Sequence, residues 1–353
     1  MKLLLVPDPT SPHSEDAFCR ELSVRAAKRG HETRIHTVPN GPLEATVEQL
    51  SATGFGLASD LVFVNSLQPA AIAAAGAAGR KIAVRFIDSF SGASAEAVAE
   101  VQSLLSKADL VMVPSRYLEQ VVRGWGVTAP IAQVPYAYDQ IRAQEITLVT
   151  MRASRPTGFP LVAVGLISED RLPCYDFLLA ALARLRLDWH LTLIGGGPAR
   201  PALQARVDQI SLADRVVFSD PLPHEKVMEY LRAAKAYVDP CGLEGFPMLA
   251  LYAQSEGCPV IAARRGAYEE FIVDGENGLL FPPGDSTALS EAVVTLASVP
   301  GLSLKLIAAG IKTVEERSWD LTVDKAFAAF ENLMSDDTAS RPFDHSPPRG
   351  GGE

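Results

Sequence analysis

The feature that most constrains this chain is a repeated alternation. Short, nearly continuous apolar runs bounded by Gly, Pro or Asp are each followed by a longer stretch of helical periodicity. LLLVP at 3–7, LVFVN at 61–65, IAVRF at 82–86 and LVMVP at 110–114 form the first series. Runs this short and this apolar suit strands covered on both faces, which is the condition of a parallel sheet with helical crossovers. The helical stretch from Glu15 to Arg29 is closed by Gly30, a residue type that ends helices without steric cost. The first part of the chain is therefore expected to be a doubly wound α/β domain.

A second series begins near residue 160, with PLVAVG at 160–165, HLTLIG at 190–195, RVVFS at 215–219, AYVDP at 236–240 and PVIAA at 259–263. The same alternation predicts a second Rossmann-like domain. The expected division is a first domain over 1–140, a linker over 141–159 and a second domain over 160–315. A helix over 316–335 is expected to cross back to the first domain, followed by a polar, Pro- and Gly-rich disordered tail over 336–353. Ligands of open α/β sheets bind beyond the carboxyl ends of the strands, so two such sheets facing each other would make a cleft between domains.

Composition narrows the function. A formal charge of −10 disfavours a nucleic acid or an anionic membrane as partner, because either would repel the body. Cysteines at 19, 174, 241 and 258 show no paired zinc spacing and no dense disulfide pattern, which fits a reducing cytoplasm. The start, MKLLLVPDPT, is too short in its apolar part for a signal core and reads as a first strand. No run approaches the ~20 apolar residues of a membrane-spanning helix, so no transmembrane segment is expected. The loop after the first strand, PDPTSPHSED, lacks the GxGxxG of dinucleotide-binding oxidoreductases, which disfavours hydride transfer.

The most informative stretch is 241–285. Its step from Glu244 to Pro247 would put a carboxylate and backbone amides at the start of a helix, where N–H groups lack partners and the dipole favours an anion. Other pieces accompany it in order: RGHETRIHT at 29–37, ADLVMVPSRYL at 108–118, VPYAYD at 134–139 and LIGGGPARPAL at 193–203. On these residues the chain resembles the retaining glycosyltransferases of family 4 over about residues 1–335. The resemblance implies the GT-B architecture, two Rossmann-like doubly wound domains facing across a cleft. GGGP at 195–198 is read mainly as a tight turn, and VDGENGLLFPPGD at 273–285 as a turn–strand–turn leading to a helix capped by Asp285.

What the resemblance implies is transfer of a sugar from a nucleoside diphosphate sugar to a small-molecule or carbohydrate acceptor, with retention of anomeric configuration and with neither a metal nor another cofactor. Negative charge building on the leaving diphosphate would be met by fixed cations and amides. The family's arginine and lysine after the first strand of the second domain fall on Leu166 and Arg171. Arg171 is read either as a fork for two phosphate oxygens or as a surface arginine beside Glu169 and Asp170. Glu244 would contact sugar hydroxyls and the developing positive charge, with further donor contacts from Gly245, Phe246, Pro247 and Met248. Proline has no N–H to give.

The family's second glutamate, which holds both ribose hydroxyls, is replaced by Tyr252, and a phenol makes only one good bond. Glu256, one helical turn on, either reaches the same face or is a surface charge at the helix end. On the first domain His13, Asp88 and Asn65 are candidates for the donor or acceptor side of the cleft, while Ile87 stands where the family has a histidine. Two rival readings follow from these departures. One is a glycosyltransferase-like protein that no longer catalyses and serves as a binding or partner subunit; the other is a transferase whose unusual donor lacks the normal ribose contacts.

Overall fold

The structure, a computed structural model, describes residues 1–7, 17–38, 42–88, 93–138, 158–243 and 245–339. The first half forms a six-stranded sheet in the order β2-β1-β3-β4-β5-β6, with every pair parallel. Its strands are β1 Lys2–Val6, β2 Glu32–Ile35, β3 Leu61–Asn65, β4 Lys81–Arg85, β5 Leu110–Val113 and β6 Ile131–Gln133. The second half forms another six-stranded parallel sheet, in the order β12-β11-β10-β7-β8-β9. These strands are β7 Phe159–Val164, β8 Trp189–Ile194, β9 Val216–Ser219, β10 Ala236–Asp239, β11 Val260–Ala263 and β12 Leu279–Phe281. Two Rossmann-like sheets confirm the α/β, two-domain GT-B architecture.

The helices between them are α1 Ala17–Ala26, α2 Leu43–Ala52, α3 Pro69–Ala77, α4 Ala95–Leu105 and α5 Arg116–Gly124 on the first sheet. On the second they are α6 Leu172–Ala183, α7 Arg200–Gln209, α8 His224–Ala233, α9 Met248–Ser255, α10 Tyr268–Phe271, α11 Ser286–Ser298 and α12 Leu302–Glu315. A last helix, α13, runs from Trp319 to Ala339. Among the described residues no single helix is long and apolar enough to cross a membrane.

Each sheet is buried on both faces, and successive side chains alternate between them. In the first domain Leu4, Val6, Val62, Val64 and Val84 enter one core, while Leu3, Leu5, Leu61, Phe63 and Ala83 enter the other. The second core is closed by α1 and by α13, whose Val323, Ala326, Phe327 and Phe330 lie at helical spacing on one stripe. The final helix thus packs on the first domain. It continues through Ala339, so residues 336–339, expected to open the tail, are its last turn.

Where the two halves meet, contact is close. Ser115 Oγ accepts from Leu118 N at 3.1 Å, capping α5, and donates to the Gly245 carbonyl at 2.7 Å. The Glu270 carboxylate accepts from Arg116 N at 2.9 Å and Tyr117 N at 2.6 Å, so an acidic group of the second domain sits at the positive end of a helix of the first. A Cβ added at Gly245 would collide with the Ile87 carbonyl oxygen, which makes this glycine a condition of the domain contact.

Candidate active site

The second sheet changes direction between β7 and β10, and a cavity of about 460 Å³ opens at their carboxyl ends. Strand order reverses there, so the loops after the two strands part and leave a crevice. Gly165, Leu166 and Arg171 line it from the loop after β7; Phe246, Pro247, Met248 and Leu249 line it from the loop before α9; Ile87, Asp88 and Tyr136 come from the first domain. A second cavity, of about 470 Å³, shares Val164, Gly165 and Leu166 and extends along Gly195, Gly196, Gly197 and Leu222. The two form one cleft, mixed in polarity and interdomain at one end and almost wholly apolar at the other.

The glycine run at 195–197 has a steric role. Gly195 and Gly197 have φ of 147° and 146°, and a Cβ on either would collide with the carbonyl oxygen of Gly165 or Ile167. The loop after β8 therefore lies directly on the loop after β7 and fixes the backbone that carries Leu166.

The loop after β10 is held from below. Asp239 Oδ1 accepts from Cys241 N at 2.8 Å and Gly242 N at 3.0 Å, and its Oδ2 accepts from the buried Tyr268 hydroxyl at 2.8 Å. Burial, with the Asp239 charge beside it, pushes the Tyr268 phenol well above its ordinary value, so it remains a donor. This frame sets the departure of residues 240–243. Glu244 and His13 lie outside the described residues; on either side of Glu244, Leu243 and Gly245 are both buried. The Met248 amide donates to the Phe246 carbonyl at 2.9 Å, closing a tight turn. Among the described residues no side chain caps α9, and Leu249 in its first turn lines the cavity.

Arg171 stands at the start of α6, half-buried, with its field felt by Cys174, Tyr175 and Cys241. It therefore reaches toward the β10 loop instead of lying on the outer surface. The thiols of Cys174 and Cys241 are neighbours, and the interaction between them lowers Cys174 and raises the buried Cys241; Arg265 and Arg171 lower Cys174 further. Arg265 is a second cation near this floor that the motif reading missed, since it lies in the loop after β11 and has no fixed spacing from Arg171. Leu166, where the resemblance expects a cation, is 54% exposed at the wall shared by both cavities.

Tyr252 is packed in an aromatic cluster, 5.5 Å from the Tyr138 ring and 4.8 Å from that of His224, centre to centre. Burial raises its phenol above the ordinary value. His224 opens α8, two residues after Leu222 at the apolar end of the cleft. Neither reading of Glu256 holds: the residue is 1% exposed, and its Oε2 accepts from Arg232 Nε at 2.7 Å. At the C-terminus of α9 it points to α8, so it neither replaces the family's second carboxylate nor lies on the surface.

In the first domain, Asp88 is exposed at the cavity wall. Asn65 is buried at the end of β3 and its Oδ1 accepts from Arg85 Nη1 at 3.2 Å. The structure thus brings Arg171, Phe246, Pro247, Met248, Ile87 and Asp88 to one cavity, and leaves Asn65 out of its lining.

Comparison with known proteins gives the same architecture and a partial family match. Residues 159–298 match the family described as "Glycosyl transferases group 1". A D-inositol 3-phosphate glycosyltransferase of Acidothermus cellulolyticus is 29% identical over 200 residues, 52% of this chain and 44% of that protein. A GDP-mannose-dependent alpha-(1-6)-phosphatidylinositol monomannoside mannosyltransferase of Mycolicibacterium smegmatis is 29% identical over 58% of this chain and 56% of its own length. The chain thus spans about half the length of these curated relatives. Among solved structures, HepE of Anabaena in complex with UDP and glucose superposes with a TM-score of 0.75 at 18% identity, over 95% of this chain and 100% of that one. Sucrose-phosphate synthase of Thermosynechococcus elongatus does so with 0.74 at 20%, over 95% and 100%. At such identities these two carry the fold alone. Residues 159–298 are thus similar to glycosyl transferases group 1, within a chain whose two-domain fold is the GT-B fold of the structures compared.

Proposed function

We propose that this protein is a retaining glycosyltransferase that moves a sugar from a nucleoside diphosphate sugar to a small-molecule or carbohydrate acceptor, with the diphosphate held between Arg171 and the turn that opens α9. The observation that carries this reading is convergence: Arg171, Phe246, Pro247 and Met248 line one cavity at the β7/β10 crossover, with Ile87 and Asp88 of the other domain opposite. UDP and glucose accompany HepE in the structure compared above, which supports a nucleotide-sugar donor here.

In this reading the bond from the anomeric carbon to the diphosphate breaks as a bond to the acceptor oxygen forms on the same face. The acceptor proton passes to the departing phosphate oxygen. Arg171 meets the growing charge as a planar fork that stays ionised, and the uncapped start of α9 adds the positive end of a helix. Arg265 supplies a second cation in place of the one lost at Leu166. Glu244, flanked by two buried residues, takes the role the resemblance gives it, holding donor-sugar hydroxyls. The apolar end of the cleft accepts the nucleoside, with the Tyr252–His224–Tyr138 cluster where a ribose-binding carboxylate stands in the family. Four free cysteines, three of them buried, suit a reducing cytoplasm.

The position of Glu256, paired with Arg232 away from the cleft, favours a second reading, a donor-site remnant in a binding protein. Proton NMR of wild-type protein with UDP-, GDP- and ADP-sugars separates the two. The transfer reading expects slow hydrolysis of one donor with the released sugar first appearing in the donor's own anomeric form. Inverted product removes the retaining mechanism, and no turnover of any donor, with or without sugar acceptors, favours the binding protein.

A further inference from the structure

The first domain contains an arginine that its own fold does not satisfy. Arg85 ends β4, the central strand next to β3, and is 3% exposed. Its guanidinium is sandwiched between the rings of Phe18 at 4.0 Å and Tyr136 at 4.3 Å. Nη1 donates to Asn65 Oδ1, but Nε and Nη2 are buried with no hydrogen-bond partner, and among the described residues no carboxylate pairs with the charge. Nε and Nη2 are the two nitrogens along one edge of the guanidinium. They present parallel N–H groups at the spacing of two oxygens of a carboxylate or phosphate.

A buried cation with one complete edge unpartnered is costly to leave so. Stacking on two rings stabilises the charge and aligns the plane, yet supplies no acceptor. Three residues beyond Asn65 in the chain, Gln68 Nε2 donates to the Pro7 carbonyl at 2.7 Å, while its Oε1 is also buried and unpartnered. Pro7 follows β1, Asn65 ends β3 and Arg85 ends β4, so these groups gather at the carboxyl ends of β1, β3 and β4. In the order β2-β1-β3-β4 the crossover direction reverses between β1 and β3, where open sheets take ligands. Two open donors and one open acceptor fit an anion that also carries hydroxyls.

We propose that Arg85 and Gln68 form the recognition site for a hydroxylated anionic acceptor, a sugar phosphate or sugar acid, whose negative group takes the Nε–Nη2 edge while a hydroxyl donates to Gln68 Oε1. This deepens the transfer reading and rests on it. Tyr136, which covers one face of the guanidinium, also touches Phe246 of the second domain, ring centres 5.2 Å apart. Parting the domains therefore loosens the cover of Arg85, and closure seats the bound anion toward the donor cavity.

Calorimetric titration of the full chain with glucose phosphate, glucuronate and glucose tests this, alongside UDP, GDP and ADP. The expected result is that at least one anion binds on the order of tenfold or more tighter than glucose, with the stronger of the two naming the phosphate or carboxylate source. Arg85→Met removes the preference, Arg85→Lys keeps the charge without the fork and lowers it, and Asn65→Asp, which leaves the arginine but neutralises it, also lowers it. Thermal melts identify any variant that fails to fold, and Asn65→Asp keeps the test open if Arg85→Met does. Equal binding of the three sugars, no binding of either anion, or a preference that survives Arg85→Met in folded protein overturns the proposal. Nucleotide binding without an anion preference sinks this site and leaves the transfer reading standing; an anion preference without nucleotide binding removes its role as acceptor site.

Discussion

At the scale of single residues the proposed donor site is marked by substitutions whose consequences are physical. Cys174 is half-buried beside the buried Cys241, and the interaction between the two thiols, aided by Arg265 and Arg171, holds the Cys174 thiol below its ordinary value. Iodoacetamide is expected to label Cys174 before Cys19, Cys241 or Cys258, and UDP or GDP in the cleft to slow the labelling; mass spectrometry showing Cys241 labelled first contradicts the assignment. Tyr252 lies in rings, not in water. Tyr252→Phe keeps those contacts, whereas Tyr252→Glu puts a carboxylate between Tyr138 and His224 and should cost about 1–3 kcal/mol of stability. Sugar transfer should fall with Tyr252→Glu, and a gain in nucleotide affinity would show instead that a carboxylate there restores the family's ribose contact.

At the scale of elements, the decisive pieces are the loops after β7 and β10 and the helices they feed. Gly245 is where the β10 loop touches the first domain, its carbonyl bonded to Ser115 and its Cα facing the Ile87 carbonyl. Gly245→Ala should hold the domains apart, at a cost of about 1–3 kcal/mol for the closed arrangement, and raise the radius of gyration in small-angle scattering while transfer falls. An unchanged radius with full activity would mean the contact is not part of the working state. The apolar strands at 61–65, 82–86, 110–114 and 160–165 were legible from sequence because burial on both faces leaves no polar alternation to confuse them. β2, reading ETRI, and β6, reading IAQ, were not, because edge strands are mostly solvated and carry no continuous apolar run. The Phe246–Met248 turn was legible as a motif. Arg85 was hidden, since an arginine inside the run IAVRF gives no sign from composition that its charge is buried and stacked between two rings.

For the whole molecule, two sheets and a returning helix make one body with a cleft at the carboxyl ends of both sheets. Charge state ties stability to pH on the alkaline side. Burial raises the phenols of Tyr175, Tyr252 and Tyr268 above their ordinary value of 10.0. A raised folded value means these groups favour the folded state fully below pH about 10, and that contribution is lost as pH rises above it toward the folded values. Denaturant unfolding should thus give a steep fall in stability above pH about 10, which flat behaviour there would contradict. The central claim is that Arg171 grips a diphosphate in the cavity between the domains. Calorimetric titration of wild type and Arg171→Ala with UDP, GDP and ADP tests it most directly. The account predicts that one nucleotide binds the wild type at one site per chain and that Arg171→Ala weakens it on the order of tenfold or more; no binding to the wild type at millimolar concentration, or equal affinity in the variant, would contradict it.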